Sequence, residues 1–220
     1  MALTAEERAR RIRIIVFDVD GVLTDGTIWL VPAPAGAASS FQGHLAKKQG
    51  GIGFGVHSTT MMEAKGYSAH DGAGISLARI GGLKCGVITK RISETVATRM
   101  RDLKIEYVYQ GQAFKMKAIH EILVKEGAAL DEIAYVGDDV IDLPVMRQVG
   151  LAVAVANARD EVKAEAHYVT PHGGGYGAGR DAVDFILNAK GILSQCIEKM
   201  IDASNPIPPS MDIGNSGDAA

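Results

Sequence analysis

From Ile12 onward the chain alternates short apolar runs, rich in β-branched residues, with longer stretches whose apolar residues recur at helical spacing. The runs Arg13–Phe17, Lys84–Thr89, Glu106–Tyr109, Ile133–Gly137 and Leu151–Val155 predict strands, and His167–Thr170 predicts a short sixth. Between them the period predicts helices over Gly74–Ile80, Ile92–Leu103, Phe114–Glu126, Ile141–Val149, Asp160–Ala166 and Gly179–Ala189, several ending beside Gly. That alternation belongs to β-α units, so the expected fold class is α/β, a mostly parallel sheet flanked by helices. Ahead of it, Met1–Arg13 mixes small, acidic and basic residues and predicts a short exposed helix rather than the apolar core of a secretory signal.

The pattern fails over Gly26–Tyr67, where Gly, Ala, Ser and Thr abound without a helical period. We read this stretch as a β-hairpin insertion after strand one, leaving on Thr27–Val31, returning near Gly55–Met62, with Pro32–Gly51 a mobile excursion. Beyond about Asp202, Asn, Pro, Ser and Gly dominate and predict disorder over 204–220. Residues 1–203 then form a single domain carrying the 26–67 insertion. The full chain of 220 residues, 47% hydrophobic, suffices for one complete core.

Charge and composition narrow the function. A net charge of −3 gives no reason to expect nucleic acid or an anionic membrane as partner. Every apolar stretch is broken by a charge or a glycine before it reaches bilayer length, so no membrane partner is expected. Cys85 and Cys196 lack metal or redox spacing and read as thiols of a reducing compartment, by default the cytoplasm.

The candidate chemistry lies at strand ends. Asp18-Val-Asp20-Gly follows the first strand directly, which puts both carboxylates at the carboxyl edge of a parallel sheet, where open α/β folds bind ligands. Two carboxylates so close repel each other unless a divalent cation and a phosphate lie between them. Gly137-Asp138-Asp139-Val-Ile-Asp142 follows a later strand of the same sheet and can converge on the first pair. Oxygen ligands from several loops, with no paired histidines, favour Mg2+ over zinc. Taken alone, Gly-Asp-Asp equally describes a strand-to-helix cap, Thr89 a strand-end cap and Lys115 a solvated side chain. Together a hydroxyl, an ammonium and helix amino termini are what a phosphoryl group of spreading charge requires.

In this order, Asp18-Val-Asp-Gly-Val-Leu-Thr-Asp-Gly26, Ile88-Thr89, Lys115 and Gly137-Asp-Asp-Val-Ile-Asp142 resemble the four motifs of haloacid dehalogenase phosphatases. Tyr109–Gln112, Tyr135–Met146 and Val149–Val155 further resemble the capless 3-deoxy-D-manno-octulosonate 8-phosphate phosphatase family, the likeness running from Ile12 to about Leu193. The resemblance implies a Rossmann-like haloacid dehalogenase fold without a cap domain, and magnesium-dependent hydrolysis of a sugar phosphate in lipopolysaccharide precursor synthesis. It implies Asp18 as nucleophile and Asp20 as general acid and base, with Thr89 and Lys115 on the phosphoryl oxygens. Magnesium would take Asp18, the main-chain carbonyl of Asp20 and Asp138, supported from behind by Asp139 and Asp142. For the sugar it points to Asp20, Ser68, His70, Asp71, Gly72, Ser76, Arg91, Arg99 and Lys115. His70 and Ser76 stand where the family pattern has arginines, and Lys90 where it has glycine, so the specificity set is altered while the reaction set is complete.

The resembled family assembles as a ring-like homotetramer, which would cover an apolar hairpin carrying Trp29, Met61 and Met62. Beside the eight-carbon sugar phosphate stand three alternatives: a nine-carbon sialic-type or other sugar phosphate, a phosphotransferase or mutase, and a non-catalytic phosphatase-like binding or assembly module. The phosphotransferase reading suffers from the lack of a cap to retain an intermediate. The run Gly173–Gly179 fails as a dinucleotide fingerprint, since no second β-α unit follows it; it reads either as a flexible loop or as a segment reaching a neighbouring subunit's site. Gly50–Gly55 reads as hairpin flexibility, and the histidines other than His70 as packing or surface residues.

Overall fold

The computed structural model describes residues 3–33 and 60–202. The expected excursion after Pro32, most of the return strand near Gly55–Met62, the glycines of 50–55 and the tail over 204–220 therefore lie outside the described residues.

Six strands form one parallel sheet: β1 (Ile14–Phe17), β4 (Lys84–Ile88), β5 (Tyr107–Tyr109), β6 (Ile133–Gly137), β7 (Leu151–Ala154) and β8 (Tyr168–Val169). Their spatial order is β5-β4-β1-β6-β7-β8, with β1 at the centre. Counting only these strands in chain order, that is the doubly wound arrangement, with its reversal beside β1. β1 and β6 are buried at every position, as expected of inner strands covered by helices on both faces.

Short α1 (Ala5–Ala9) precedes the sheet, and Thr4 caps it reciprocally with Glu7. The helices that cover the sheet are α2 (Ala69–Ile80), α3 (Glu94–Asp102), α4 (Met116–Glu126), α5 (Leu143–Met146), α6 (Asp160–Glu165), α7 (Ala178–Ala189) and α8 (Leu193–Ile201). α2 begins five residues before the expected Gly74, because Ser68 caps it and accepts a bond from the His70 amide at 3.2 Å. Its glycines are not breakers but contact points: a Cβ on Gly74 would lie 2.8 Å from the Arg180 backbone of α7. The expected helix over Ile141–Val149 contracts to a 3-10 turn, Val140–Asp142, and the single turn of α5, since Asp142 bonds back to the loop instead of continuing a regular helix.

The insertion does form an antiparallel hairpin, β2 (Trp29–Pro32) with β3 (Met61–Ala64), in the register Trp29↔Ala64. Its described return strand runs past the expected Met62 to Ala64, and Glu63 and Lys65 lie against the loop after β1. Among the described residues this hairpin is the one extra piece, and no cap domain accompanies it. Trp29, Leu30 and Met62 are exposed.

The glycine-rich run after β8 corrects the flexible-loop reading. Gly175 N–H donates to the Val22 carbonyl at 3.0 Å, Gly174 N–H to Asn157 Oδ1 at 2.7 Å, and a Cβ on Gly174 would fall 1.7 Å from the Gly21 carbonyl oxygen. The run straps the loop that carries Asp20, and the absence of side chains at Gly174 and Gly175 is what lets two backbones meet there.

Candidate active site

The parallel register brings the expected residues to one edge. Phe17 is level with Val87 of β4 and with Val136 of β6, so the next positions, Asp18, Ile88 and Gly137, share a level, and Val19, Thr89 and Asp138 share the one above. Asp18 is buried, its Oδ1 accepting from the Val19 amide at 2.7 Å and its Oδ2 lying 2.7 Å from Lys115 Nζ. Lys115, just ahead of α4, is buried as well and lies 2.7 Å from Asp142 Oδ1. Both carboxylates raise its pKa despite the burial that opposes them.

Asp142 is the hub of the second acidic cluster. Besides Lys115 it accepts from the Tyr135 hydroxyl at 2.7 Å through Oδ1, and from the Asp138 amide at 3.0 Å through Oδ2. Asp139 turns its carboxylate to the Val140 amide at 2.7 Å and caps the 3-10 turn. Tyr135 is a participant that pattern reading missed. A tyrosine in the run Ile133–Gly137 looks like core, and only its hydroxyl, at 3.0 Å from Lys115 Nζ, gives it a place in the site.

Oxygens of Asp18, Asp138 and Asp142 lie within 4.8 Å of one another. Burial, then the charges of Asp18 and Asp142, push Asp138 up to about 8. Burial also lifts Asp18, to about 6, with Lys115 countering and Asp142 adding to the rise. Three carboxylates against one ammonium leave an excess of negative charge that a hard divalent cation fits. The donors are all oxygens, and Gly21 keeps the approach clear, since a Cβ there would fall 2.1 Å from Asp138 Oδ2.

Asp20 stands on the hairpin side. Lys65, its side chain fully buried, bonds to Asp20 Oδ1, and Arg91 Nε lies 3.9 Å from Asp20 Oδ2. Glu63 joins both cations, 3.5 Å from Lys65 and 2.8 Å from Arg91. Burial raises the Glu63 carboxyl, but hydrogen bonds from Arg91 and Ser93 and the charges of Lys65 and Arg91 outweigh it and leave it below the ordinary value. Neither Glu63 nor Lys65 was legible in a stretch without periodicity.

Of the expected sugar-binding residues, Ser68, Asp71, Gly72 and Arg99 line one small cleft with Tyr67. Arg99 pairs with Asp102 there. His70 is exposed on the first turn of α2. Asp71 is buried, and its Oδ1 accepts from the Arg180 amide at 2.9 Å, tying α2 to the start of α7. The Ser76 hydroxyl bonds back to the Gly72 carbonyl at 3.2 Å.

A buried aspartate at the end of β1, a buried lysine and a carboxylate cluster at the reversal of a doubly wound sheet define the class: a haloacid dehalogenase-like hydrolase, and the family model so described matches residues 87–174. Closer relatives narrow it. The chain is 37% identical over 184 residues to the 3-deoxy-D-manno-octulosonate 8-phosphate phosphatase of Yersinia pestis, with 84% of each chain covered. The crystal structure of that enzyme superposes with a TM-score of 0.71 over 86% of this chain and 88% of its own, at 36% identity. A Moraxella catarrhalis phosphatase of the same name, solved with magnesium, phosphate and KDO, superposes with a TM-score of 0.73 at 28% identity, over 89% of this chain and 97% of its own. The chain belongs to the 3-deoxy-D-manno-octulosonate 8-phosphate phosphatase family.

Proposed function

We propose that the chain is a magnesium-dependent phosphomonoesterase that hydrolyses 3-deoxy-D-manno-octulosonate 8-phosphate to the free sugar acid and phosphate. The observation that carries the reaction class is Asp18, buried and fixed by the Val19 amide and Lys115, with Asp138 and Asp142 beside it. The sugar comes from the relatives named above.

Asp18 attacks phosphorus, forming an aspartyl phosphate as the bond from phosphorus to the sugar oxygen breaks. Asp20 gives its proton to the departing oxygen, because a sugar alkoxide leaves slowly without one. Asp20 then takes a proton from the water that attacks the same phosphorus, which releases phosphate and restores the Asp18 carboxylate. Lys115 and Thr89 hold the phosphoryl oxygens throughout. Asp18, the main-chain carbonyl of Asp20 and Asp138 would hold magnesium, which would supply positive charge against the phosphoryl oxygens and the clustered carboxylates. Asp139 and Asp142 keep the Asp138 loop in place. Arg91 and Arg99 face the sugar acid, with Ser68, His70, Asp71, Gly72 and Ser76 shaping the wall around it.

A panel of sugar phosphates with magnesium tests the assignment. The eight-carbon ester is expected to exceed other esters in kcat/KM by at least about tenfold. A nine-carbon sugar acid phosphate is the second reading, favoured by His70 and Ser76, and its preference over the eight-carbon ester would transfer the assignment. Release from nucleotides alone would sink both.

Trp29, Leu30 and Met62 form an exposed apolar edge that calls for cover, and further copies of this chain in a homotetramer supply it. Light scattering of the full chain is expected to give four chains per particle; a monomer would refute this. Among the described residues no helix is long and apolar enough to cross a membrane, and the free thiols Cys85 and Cys196 are buried. Both fit work in the cytoplasm.

A further inference from the structure

The root of the hairpin carries an alternating array of charge in which the reaction as described leaves Lys65 and Glu63 without a task. Its order is Asp20, Lys65, Glu63, Arg91, with Arg91 returning toward Asp20 at 3.9 Å. Lys65 is the costly member, since its side chain is wholly buried while that of Asp20 remains 22% exposed. A buried ammonium persists only when carboxylates compensate its lost hydration, and Asp20 and Glu63 do so from two sides. Glu63, nearly as buried, is held in turn by Arg91 Nη2 at 2.8 Å. Glu63 and Lys65 are two apart at the end of β3, the spacing that sends alternate side chains to one face of a strand.

If the array only anchored the hairpin, apolar residues would serve at no greater cost. Its end point argues for more. A general acid on a loop must present one oxygen to the departing atom in a fixed direction, and a carboxylate free to rotate about its side-chain bonds does so only part of the time.

We propose that Lys65, braced by Glu63 and Arg91, is a positioning residue for Asp20. It fixes Oδ1 and thereby aims Oδ2 at the leaving oxygen of the ester. The proposal rests on the reading of Asp20 as general acid, and it gives the hairpin a part in the chemistry beside its part in assembly.

The test separates leaving groups. Kinetics of the full chain with magnesium are measured on 3-deoxy-D-manno-octulosonate 8-phosphate, whose sugar oxygen needs a proton to leave, and on p-nitrophenyl phosphate, whose phenolate departs without one. Lys65→Met is expected to lower kcat/KM for the sugar ester about a hundredfold and for the aryl ester less than about fivefold, the asymmetry that loss of general acid catalysis produces. Glu63→Gln, which keeps the lysine but loosens its brace, is expected to show the same asymmetry with a smaller amplitude, and Lys65→Arg to restore most of the sugar ester activity. Asp20→Asn is the reference and is expected to show the asymmetry at full size. Equal losses on both esters in Lys65→Met and Glu63→Gln, or a rise in KM for the sugar ester with kcat unchanged, would overturn the positioning role. No asymmetry in Asp20→Asn would instead remove the general acid reading beneath it.

Discussion

Asp18→Asn is expected to lower magnesium-supported phosphate release by at least about four orders of magnitude, while the metal-free protein melts no earlier than the parent. The first effect is chemical. An amide oxygen carries no charge and cannot form an acyl phosphate, and two other nearby carboxylates already have partners. Asp142 is committed to Lys115, Tyr135 and the Asp138 amide, and Asp20 to Lys65. The second effect follows from the cost of the charge. Burial above all, with Asp142 adding to it, pushes Asp18 to about 6, above its ordinary 3.8, so above pH 6 the folded protein holds an anion under strain from its surroundings. Asparagine of the same shape keeps the oxygen that accepts from Val19 at 2.7 Å and removes one of three clustered carboxylates. Lys115 retains Asp142 as its partner. Phosphate release and thermal unfolding in chelator measure the two effects on one sample. More than about one per cent residual turnover would place the nucleophile elsewhere. A large drop in melting temperature would mean that Asp18 is needed for folding, contrary to the electrostatic argument.

The contrast between Asp18 and Lys65 shows where pattern reading works. Asp18, Thr89 and Asp138 follow apolar runs that can only be inner strands, and a parallel sheet brings the ends of such strands to one edge whatever the loops do. Their convergence was therefore legible. Lys65 and Glu63 follow no such rule, because their position depends on the register of a short hairpin whose first strand is exposed at every position, and register is weakly written in a strand with no buried face. Tyr135 was hidden for the opposite reason, since one hydroxyl on a fully buried strand leaves no mark in the period. The glycines of α2 carry no mark of their contacts in the sequence, and the run at Gly173–Gly175 reads there equally as a flexible loop. In both places they are sites of close backbone contact, with Arg180 and with the Asp20 loop respectively, and only the neighbours reveal that. α8 was missed altogether, as its single buried residue, Cys196, gives the pattern almost nothing to detect.

Removal of divalent metal is expected to abolish turnover, and restoring magnesium to stabilise the fold by an amount that grows with pH. The sign follows from Asp138. Burial, with Asp18 and Asp142 close by, raises it to about 8 from an ordinary 3.8, so between those values the folded metal-free protein binds more protons than the unfolded chain. Stability therefore falls as pH rises across that window, and from this source it is fully present only below the unfolded value. Asp18, raised to about 6, contributes the same slope over the lower part of the range. A bound cation reverses the preference by holding both carboxylates ionised, so it competes with protons at low pH and with nothing above pH 8. The difference in melting temperature between saturating magnesium and chelator is expected to be small at pH 5 and to rise steadily to pH 8.5. Taking the difference at each pH cancels groups remote from the site. Asp138→Asn is expected to flatten the curve and to abolish most of the magnesium response. A magnesium shift that is constant from pH 5 to 8.5, or that survives in Asp138→Asn, would place the cation away from Asp18 and Asp138 and leave their raised proton affinity without the role argued for it.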